Sequence, residues 1–153
     1  LAKEFCDIFL MDLKYLSSER ALKYSGAQDY PDVATAAILK CYETIKECVF
    51  DDSGLMQKGL IIRHLILPMG TNEAIKVIDW VGNNTPNAVF SLMSQYTPCG
   101  NLDDFKEINR KLTLREHNKV LYYLESSNIK SYYTQKLDSS DTIYIPDFDL
   151  TGV

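Results

Sequence analysis

The sequence has only two histidines, four cysteines and one tryptophan among 153 residues. Cys6, Cys41, Cys48 and Cys99 form no C-x2-C pair, and with His64 and His117 they give no zinc-like spacing. That excludes a zinc finger and a dense disulfide framework. It fits reduced, mostly buried thiols in a cytoplasmic protein. Cys41 and Cys48 are spaced to lie two turns apart on one helical face. Runs of basic residues are also missing. The 16 Lys and Arg are outnumbered by 21 Asp and Glu, for a net charge of −5. A dedicated nucleic-acid or membrane-surface binder would show the opposite balance. No apolar stretch reaches the roughly 20 residues that a membrane-spanning helix needs. Lys3, Glu4 and Asp7 break up the N-terminal apolar residues that a signal peptide would keep together. The start at Leu1 reads as the start of a piece of a longer protein. Neither G-x-G-x-x-G nor a G-x-x-x-x-G-K-[ST] phosphate loop occurs, and no repeat or low-complexity segment is visible.

What the chain does have is an alternation of patterns. Cys6 to Met11 is a short apolar run ending in Asp12, read as a buried strand. Ser17 to Lys23 suits a short helix. Asp29-Tyr30-Pro31-Asp32 opens another, with Pro31 near the first helical position, where its missing N–H costs nothing. Ala34, Ala37, Ile38, Cys41, Ile45 and Cys48 then recur at helical spacing. Asp51-Asp52-Ser53-Gly54 is a turn cluster between Val49-Phe50 and Leu55-Met56, a small hairpin. Leu60 to Leu67 is apolar on both alternating faces, as in a strand buried on both sides. Thr71 reads as the N-cap of a helix from Asn72 to Asn83. Ala88 to Met93 is a third strand. Thr113-Leu114-Arg115-Glu116 is a capping box for a helix to about Ser127. Ser131 to Gln135 is a fourth strand. The fold class expected is therefore α/β, with a parallel sheet and alternating helices. Residues 1–135 form one domain, and 136–153 a tail whose Ile143, Ile145, Phe148 and Leu150 suggest docking on the body.

In parallel α/β folds, sites gather at the carboxyl ends of the strands. Those ends carry Asp12-Leu13-Lys14, Pro68-Met69-Gly70, Ser94-Gln95-Tyr96 and Gln135. Asp12 and Lys14 share a face if the strand continues, and would offer an acceptor and an ammonium to a zwitterionic ligand. The same pair also suits a solvated surface ion pair worth little. Arg63 and His64 interrupt an apolar strand and must face opposite sides. A buried Arg63 needs an anion, either a ligand carboxylate or a protein one such as Asp12. His64 reads as a satisfied core or interface histidine, and His117, among polar residues on a helix, as exposed.

Several segments resemble one known family. Asp7 to Lys14 resembles the D-x-K strand end of the activase-type radical S-adenosylmethionine enzymes. Lys23-Tyr24-Ser25-Gly26-Ala27, Gly59 to Pro68 and Met93 to Gly100 resemble a branch labelled pyruvate formate-lyase activating enzyme-like. The resemblance implies the C-terminal part of a partial (βα)6 TIM-like barrel. It also implies an iron–sulfur (4Fe–4S) cluster and S-adenosylmethionine as cofactors of the whole protein. Reductive cleavage there gives a 5′-deoxyadenosyl radical that abstracts hydrogen. The substrate would be a glycyl-radical enzyme or another protein or small molecule, with flavodoxin or ferredoxin as electron donor.

By the same resemblance, Asp12 and Lys14 match the D-x-K pair that holds the methionine end of the cofactor. Arg63 matches the arginine of an R-x-x-x-x-P strand close to it. Tyr96 stands where the activases have a histidine, and Gln95 and Tyr96 are expected to face the cofactor pocket. The family's C-x3-C-x2-C cluster loop is missing from this chain, as is its glycine-rich strand end. The chain alone is thus expected to hold no metal, to lack catalytic residues and to be inactive. As a cut barrel it is expected to self-associate through the exposed edge of its first strand, or to cover that edge with its tail. Two other readings are a non-catalytic α/β interaction module and a small enzyme using Lys14 as an amine nucleophile.

Overall fold

The structure, a computed structural model, describes residues 5–137. The expected docking of Ile143, Ile145, Phe148 and Leu150 lies outside the described residues. The elements are β1 (Ile8–Asp12), α1 (Ser18–Ser25), α2 (Tyr30–Thr44), β2 (Val49–Phe50), β3 (Met56–Leu65), α3 (Thr71–Asn84), β4 (Val89–Met93), α4 (Leu114–Glu125) and β5 (Tyr132–Thr134). The sheet runs β1-β3-β4-β5 with every pair parallel, and β2 lies antiparallel against the start of β3. The fold is α/β, with a mostly parallel sheet and alternating helices.

Strand alternation gives the sheet two unlike faces. On one lie Leu60, Ile62, His64, Phe90 and Leu92, all buried. They form a single core with Ile38 of α2, Val77, Ile78 and Val81 of α3, and Val120 and Leu124 of α4. The opposite face carries Leu10 and Asp12 of β1, Ile61, Arg63 and Leu65 of β3, Ser91 and Met93 of β4, and Tyr133 of β5. Apart from Gly59 and Val89, its residues on these strands are half-buried or exposed, and among the described residues no helix packs over it. β1 is an edge strand, with Ile8 40% and Leu10 51% exposed.

Several local expectations hold. The short helix expected over Ser17 to Lys23 is α1, with Ser17 as its N-cap accepting from the Arg20 N–H, and Thr113 with Glu116 forms the full capping box of α4. The Asp51 to Gly54 turn joins β2 to β3, with Asp51 Oδ1 accepting from the Ser53 and Leu55 N–H groups.

Others are corrected. α3 starts one residue early, so Gly70 is its N-cap and Thr71 makes no side-chain cap. The Thr71 hydroxyl instead accepts from Lys119 Nζ. α2 ends at Thr44, because Ile45 turns extended (φ −116°) and is buried. Cys48 is therefore not on a helix with Cys41, and its thiol donates to the Asn87 carbonyl at 3.2 Å. β3 runs from Met56 to Leu65, absorbing the second arm of the hairpin and stopping short of Leu67. The thiols are less buried than expected: Cys99 is exposed, and the other three are half-buried.

Candidate functional site

The carboxyl ends of β1, β3 and β4 bring most of the candidate residues to one edge of the molecule. Register places Asp12 beside Arg63, on the face that no described helix covers. Arg63 Nε donates to Asp12 Oδ1 at 2.7 Å. Of the two anions open to Arg63 from sequence, the protein carboxylate is present. Both side chains are about a third exposed, at 37% and 36%. The pair is therefore reachable from solvent and contributes modestly to stability. The two terminal guanidinium nitrogens of Arg63 hydrogen-bond to nothing among the described residues, and neither does Lys14 Nζ.

β1 ends at Asp12, and Asp12 and the two residues after it are pinned one by one. The Tyr30 hydroxyl donates to the Asp12 carbonyl at 2.9 Å and accepts from the Lys14 N–H at 3.0 Å. Burial raises the Tyr30 hydroxyl above its ordinary pKa. Leu13 is fully buried, and its carbonyl lies 2.8 Å from His64 Nδ1. A carbonyl only accepts, so Nδ1 carries the proton. Lys14 is exposed and lines a small pocket with Arg20, Leu65, Gly70 and Glu73.

Glu73 is a positioning residue that the sequence reading missed. It is 5% exposed, and its Oε1 accepts from the Leu16 and Ser17 N–H groups at 2.6 and 2.7 Å. It thereby ties the first turn of α3 to the loop leaving β1. An acid three residues past an N-cap is a signal for capping, but nothing local says that it caps a distant loop.

The turn after β3 is held just as firmly. Met69 adopts φ 58°, a left-handed conformation that costs a non-glycine residue about 1–2 kcal/mol. Its N–H donates to Glu116 Oε1 at 2.8 Å, and its carbonyl accepts from Arg20 Nη2 at 2.8 Å. Glu116 also takes both terminal nitrogens of Arg110, at 2.8 Å each. Those bonds, chiefly the one to Arg110, hold its carboxyl far below the usual range.

After β4, Ser94 is buried, with its hydroxyl 2.8 Å from His117 Nδ1. His117 is 7% exposed, which overturns the expectation of an exposed histidine. It lies on the side of α4 that carries Val120 and Leu124, one turn and two turns further on. Gln95 is exposed. Tyr96 is half-buried and its hydroxyl donates to the Ile108 carbonyl at 2.9 Å, so it braces the loop before α4. Burial raises that hydroxyl's pKa.

His64 gives the site a pH dependence. Burial lowers its pKa below the ordinary value, against the opposing pull of the Leu13 carbonyl and Glu73. Below about pH 6.5 the unfolded chain therefore takes up a proton that the folded chain refuses. The stability tied to neutral His64 is full above that pH. It declines by up to about 1.4 kcal/mol per pH unit as pH falls toward the lower folded value. His64→Asn, which keeps a donor for Leu13, is expected to flatten the slope of stability between pH 6.5 and 5. Urea melts across that range would check it, and an unchanged slope would count against the assignment.

Among the described residues there is no group of three His, Cys, Asp or Glu side chains placed to hold a metal ion. No described helix is long and apolar enough to cross a membrane. No family model matches the chain. No solved structure matches it either. It is similar to an uncharacterized protein of Methanocaldococcus jannaschii, with 30% identity over 134 residues. The alignment covers 87% of this chain and 36% of that protein, so the chain spans little more than a third of the curated relative's length.

Proposed function

We propose that this chain is the C-terminal part of a radical S-adenosylmethionine enzyme of the pyruvate formate-lyase activating type, and forms one wall of its cofactor pocket. The observation that carries this reading is the one-sided sheet. Parallel sheets are ordinarily covered on both faces. Here the helices pack on one face, and the other presents Asp12 and Arg63 at the strands' carboxyl ends. That arrangement supports reading the sheet as an inward wall of a partial (βα)6 barrel, a fold in which active sites sit at the same strand ends.

The residues present fit one of the two implied cofactors. Asp12 Oδ2 and Lys14 Nζ make no hydrogen bond among the described residues, and the two stand two positions apart at the end of β1, which supports their use as a pair for an amino-acid head group. On this reading the ligands of the iron–sulfur cluster would come from a C-x3-C-x2-C loop outside this sequence. When bound, S-adenosylmethionine would supply an oxidising radical for hydrogen abstraction. This chain would orient its methionine end through Asp12 and Lys14. Gln95 and Tyr96, on the loop after β4, border the same edge. A glycyl-radical enzyme, or another protein or small molecule, is the substrate this reading carries, with flavodoxin or ferredoxin as electron donor.

The test uses the full-length protein, reconstituted anaerobically with iron and sulfide and reduced with dithionite. Release of 5′-deoxyadenosine from S-adenosylmethionine is expected. Asp12→Asn and Lys14→Met should each lower it by about 10- to 100-fold, the loss of one charge-assisted hydrogen bond. No release, or full activity in both variants, would overturn the reading. The unpaired β1 edge beside Ile8 and Leu10 favours a second reading, a non-catalytic interaction module. Absence of any cleavage in the full-length protein would turn the balance toward it.

A further inference from the structure

A small cavity lies where the loop leaving β1, the end of β3 and the start of α3 meet. Its volume is about 10 Å³, and His64, Glu73, Tyr15, Lys14 and Arg20 are among the side chains that line it. That is the lower limit for one water molecule and too little for anything larger. Two of the lining side chains are nearly sealed from solvent, His64 being 3% and Glu73 5% exposed. A wider cleft of about 370 Å³ between α1 and α3 adjoins the cavity, with Arg20 and Glu73 walling both.

Each of these two side chains has one polar atom engaged and one left over. His64 Nδ1 gives its proton to the Leu13 carbonyl, so Nε2 of the neutral ring is a bare acceptor. Glu73 Oε1 takes the Leu16 and Ser17 amides at 2.6 and 2.7 Å, and Oε2 takes neither. Nε2 and Oε2 have no hydrogen-bond partner among the described residues. Yet no fully buried side-chain nitrogen or oxygen among those residues lacks one. Both atoms therefore reach open space, and the space that His64 and Glu73 share is this cavity. Glu73 is also close enough for its charge to oppose the effect of burial on the His64 ring. An acceptor taken from bulk water and left without a donor is destabilising. Two of them around one small cavity call for a molecule that donates twice.

We propose that the cavity is a binding site for one ordered water molecule, which donates one hydrogen to His64 Nε2 and the other to Glu73 Oε2. Lys14 and Arg20 line the same cavity and disfavour a metal or ammonium ion, while the two acceptors disfavour an anion. A neutral double donor of this size is water. The adjoining cleft gives it a route to solvent. The bridge has a structural effect. His64 holds the loop leaving β1 through Leu13, and Glu73 holds the same loop through Leu16 and Ser17. The water joins these two anchors, so β3, α3 and the loop form one closed ring of hydrogen bonds. The site goes beyond the cofactor reading and does not depend on it, since it needs no cluster and no S-adenosylmethionine.

The test is NMR on the 153-residue chain, recorded above the ordinary histidine pKa. A long-lived internal water cross-relaxes with nearby protons with the same sign as contacts within the protein, and fast-exchanging surface water does not. Such a contact is expected at the His64 ring protons. The ring nitrogen shifts should report a proton on Nδ1 and none on Nε2. Glu73→Gln keeps an oxygen for Leu16 and Ser17 but turns an amide donor toward the cavity, and should lose most of the contact. Tyr15→Phe removes a hydroxyl proton that would imitate the signal by exchange, and should keep it. A proton on Nε2 in the parent, a contact of the fast-exchanging sign, or its loss in Tyr15→Phe would overturn the proposal. So would a contact unchanged in Glu73→Gln. With isotope-labelled ammonium in the buffer, a cross-peak to ammonium in place of water would overturn the choice of ligand. Loss of 5′-deoxyadenosine formation in the full-length protein would leave these results unaffected, so the two readings fail separately.

Discussion

Glu116→Ala is expected to lower stability by about 1–3 kcal/mol, the loss of a part-buried carboxylate that accepts several hydrogen bonds, with the pair to a partly exposed Arg110 discounted for solvent. The carboxylate is 13% exposed, and its oxygens serve several groups at once. Arg110 donates to both oxygens, the Met69 N–H donates to Oε1, and the Thr113 N–H and hydroxyl donate to Oε2. Its removal would leave the left-handed Met69 turn without its amide acceptor and α4 without half of its capping box. Domains of this size have only about 5–15 kcal/mol in total, so the change is a large fraction. Urea denaturation of Glu116→Ala and Glu116→Gln would measure it. Glutamine keeps acceptors and should lose less. If both variants match the parent, the hub has no energetic role. The linkage has a definite sign. The folded pKa of Glu116 lies below the unfolded value near 4.5. Its contribution is therefore full above that pH and lost as pH falls toward the folded value.

Glu73→Ala is expected to cost about 2–4 kcal/mol. It would leave the Leu16 and Ser17 amides without their shared acceptor in a nearly buried setting, at about 1–3 kcal/mol for each unsatisfied group with partial relief from water. The informative comparison is Glu73→Gln, which retains an oxygen acceptor and removes only the charge. Recovery of most of the stability would show that the acceptor matters more than the charge. The effect should also be visible locally. Amide exchange at Leu16 and Ser17 should speed up far more than at Ile62 or Phe90 in the core. Equal protection at all four positions would count against this role for Glu73.

The two carboxylates show where sequence reading succeeds and where it runs out. The Thr113 and Glu116 capping box was legible because its spacing is local. The same Glu116 oxygens reach Met69, 47 residues earlier, and no spacing rule encodes that. The Asp12 and Arg63 pairing was partly legible. An arginine in an apolar strand demands an anion, and parallel pairing offered Asp12 as one of two. That Arg63 and His64 face opposite sides followed from strand alternation, whereas which of them faces the core did not. His117 was misjudged because its immediate neighbours in sequence are polar, whereas burial depends on the helical face it shares with Val120 and Leu124. Cys48 was misplaced because a helical period continued past the point where Ile45 leaves the helix. Element order and the parallel sheet were readable throughout, since they rest on patterns repeated over many residues. The make-up of the uncovered sheet face was not, because it needs the register of four strands at once.

The parallel pairing of β1 with β3 has one more consequence, in the order of assembly. Asp12 and Arg63 are 51 residues apart in sequence, with α1, α2 and β2 in between. Closing so long a loop opposes folding entropically, and no contact at its ends offsets this until β1 is in place. β3 and β4 are joined by the shorter α3 crossover and can pair without β1. The ion pair at the centre of the site therefore has no counterpart in any partly folded form that lacks the edge strand. Its presence marks a chain whose long-range topology is complete.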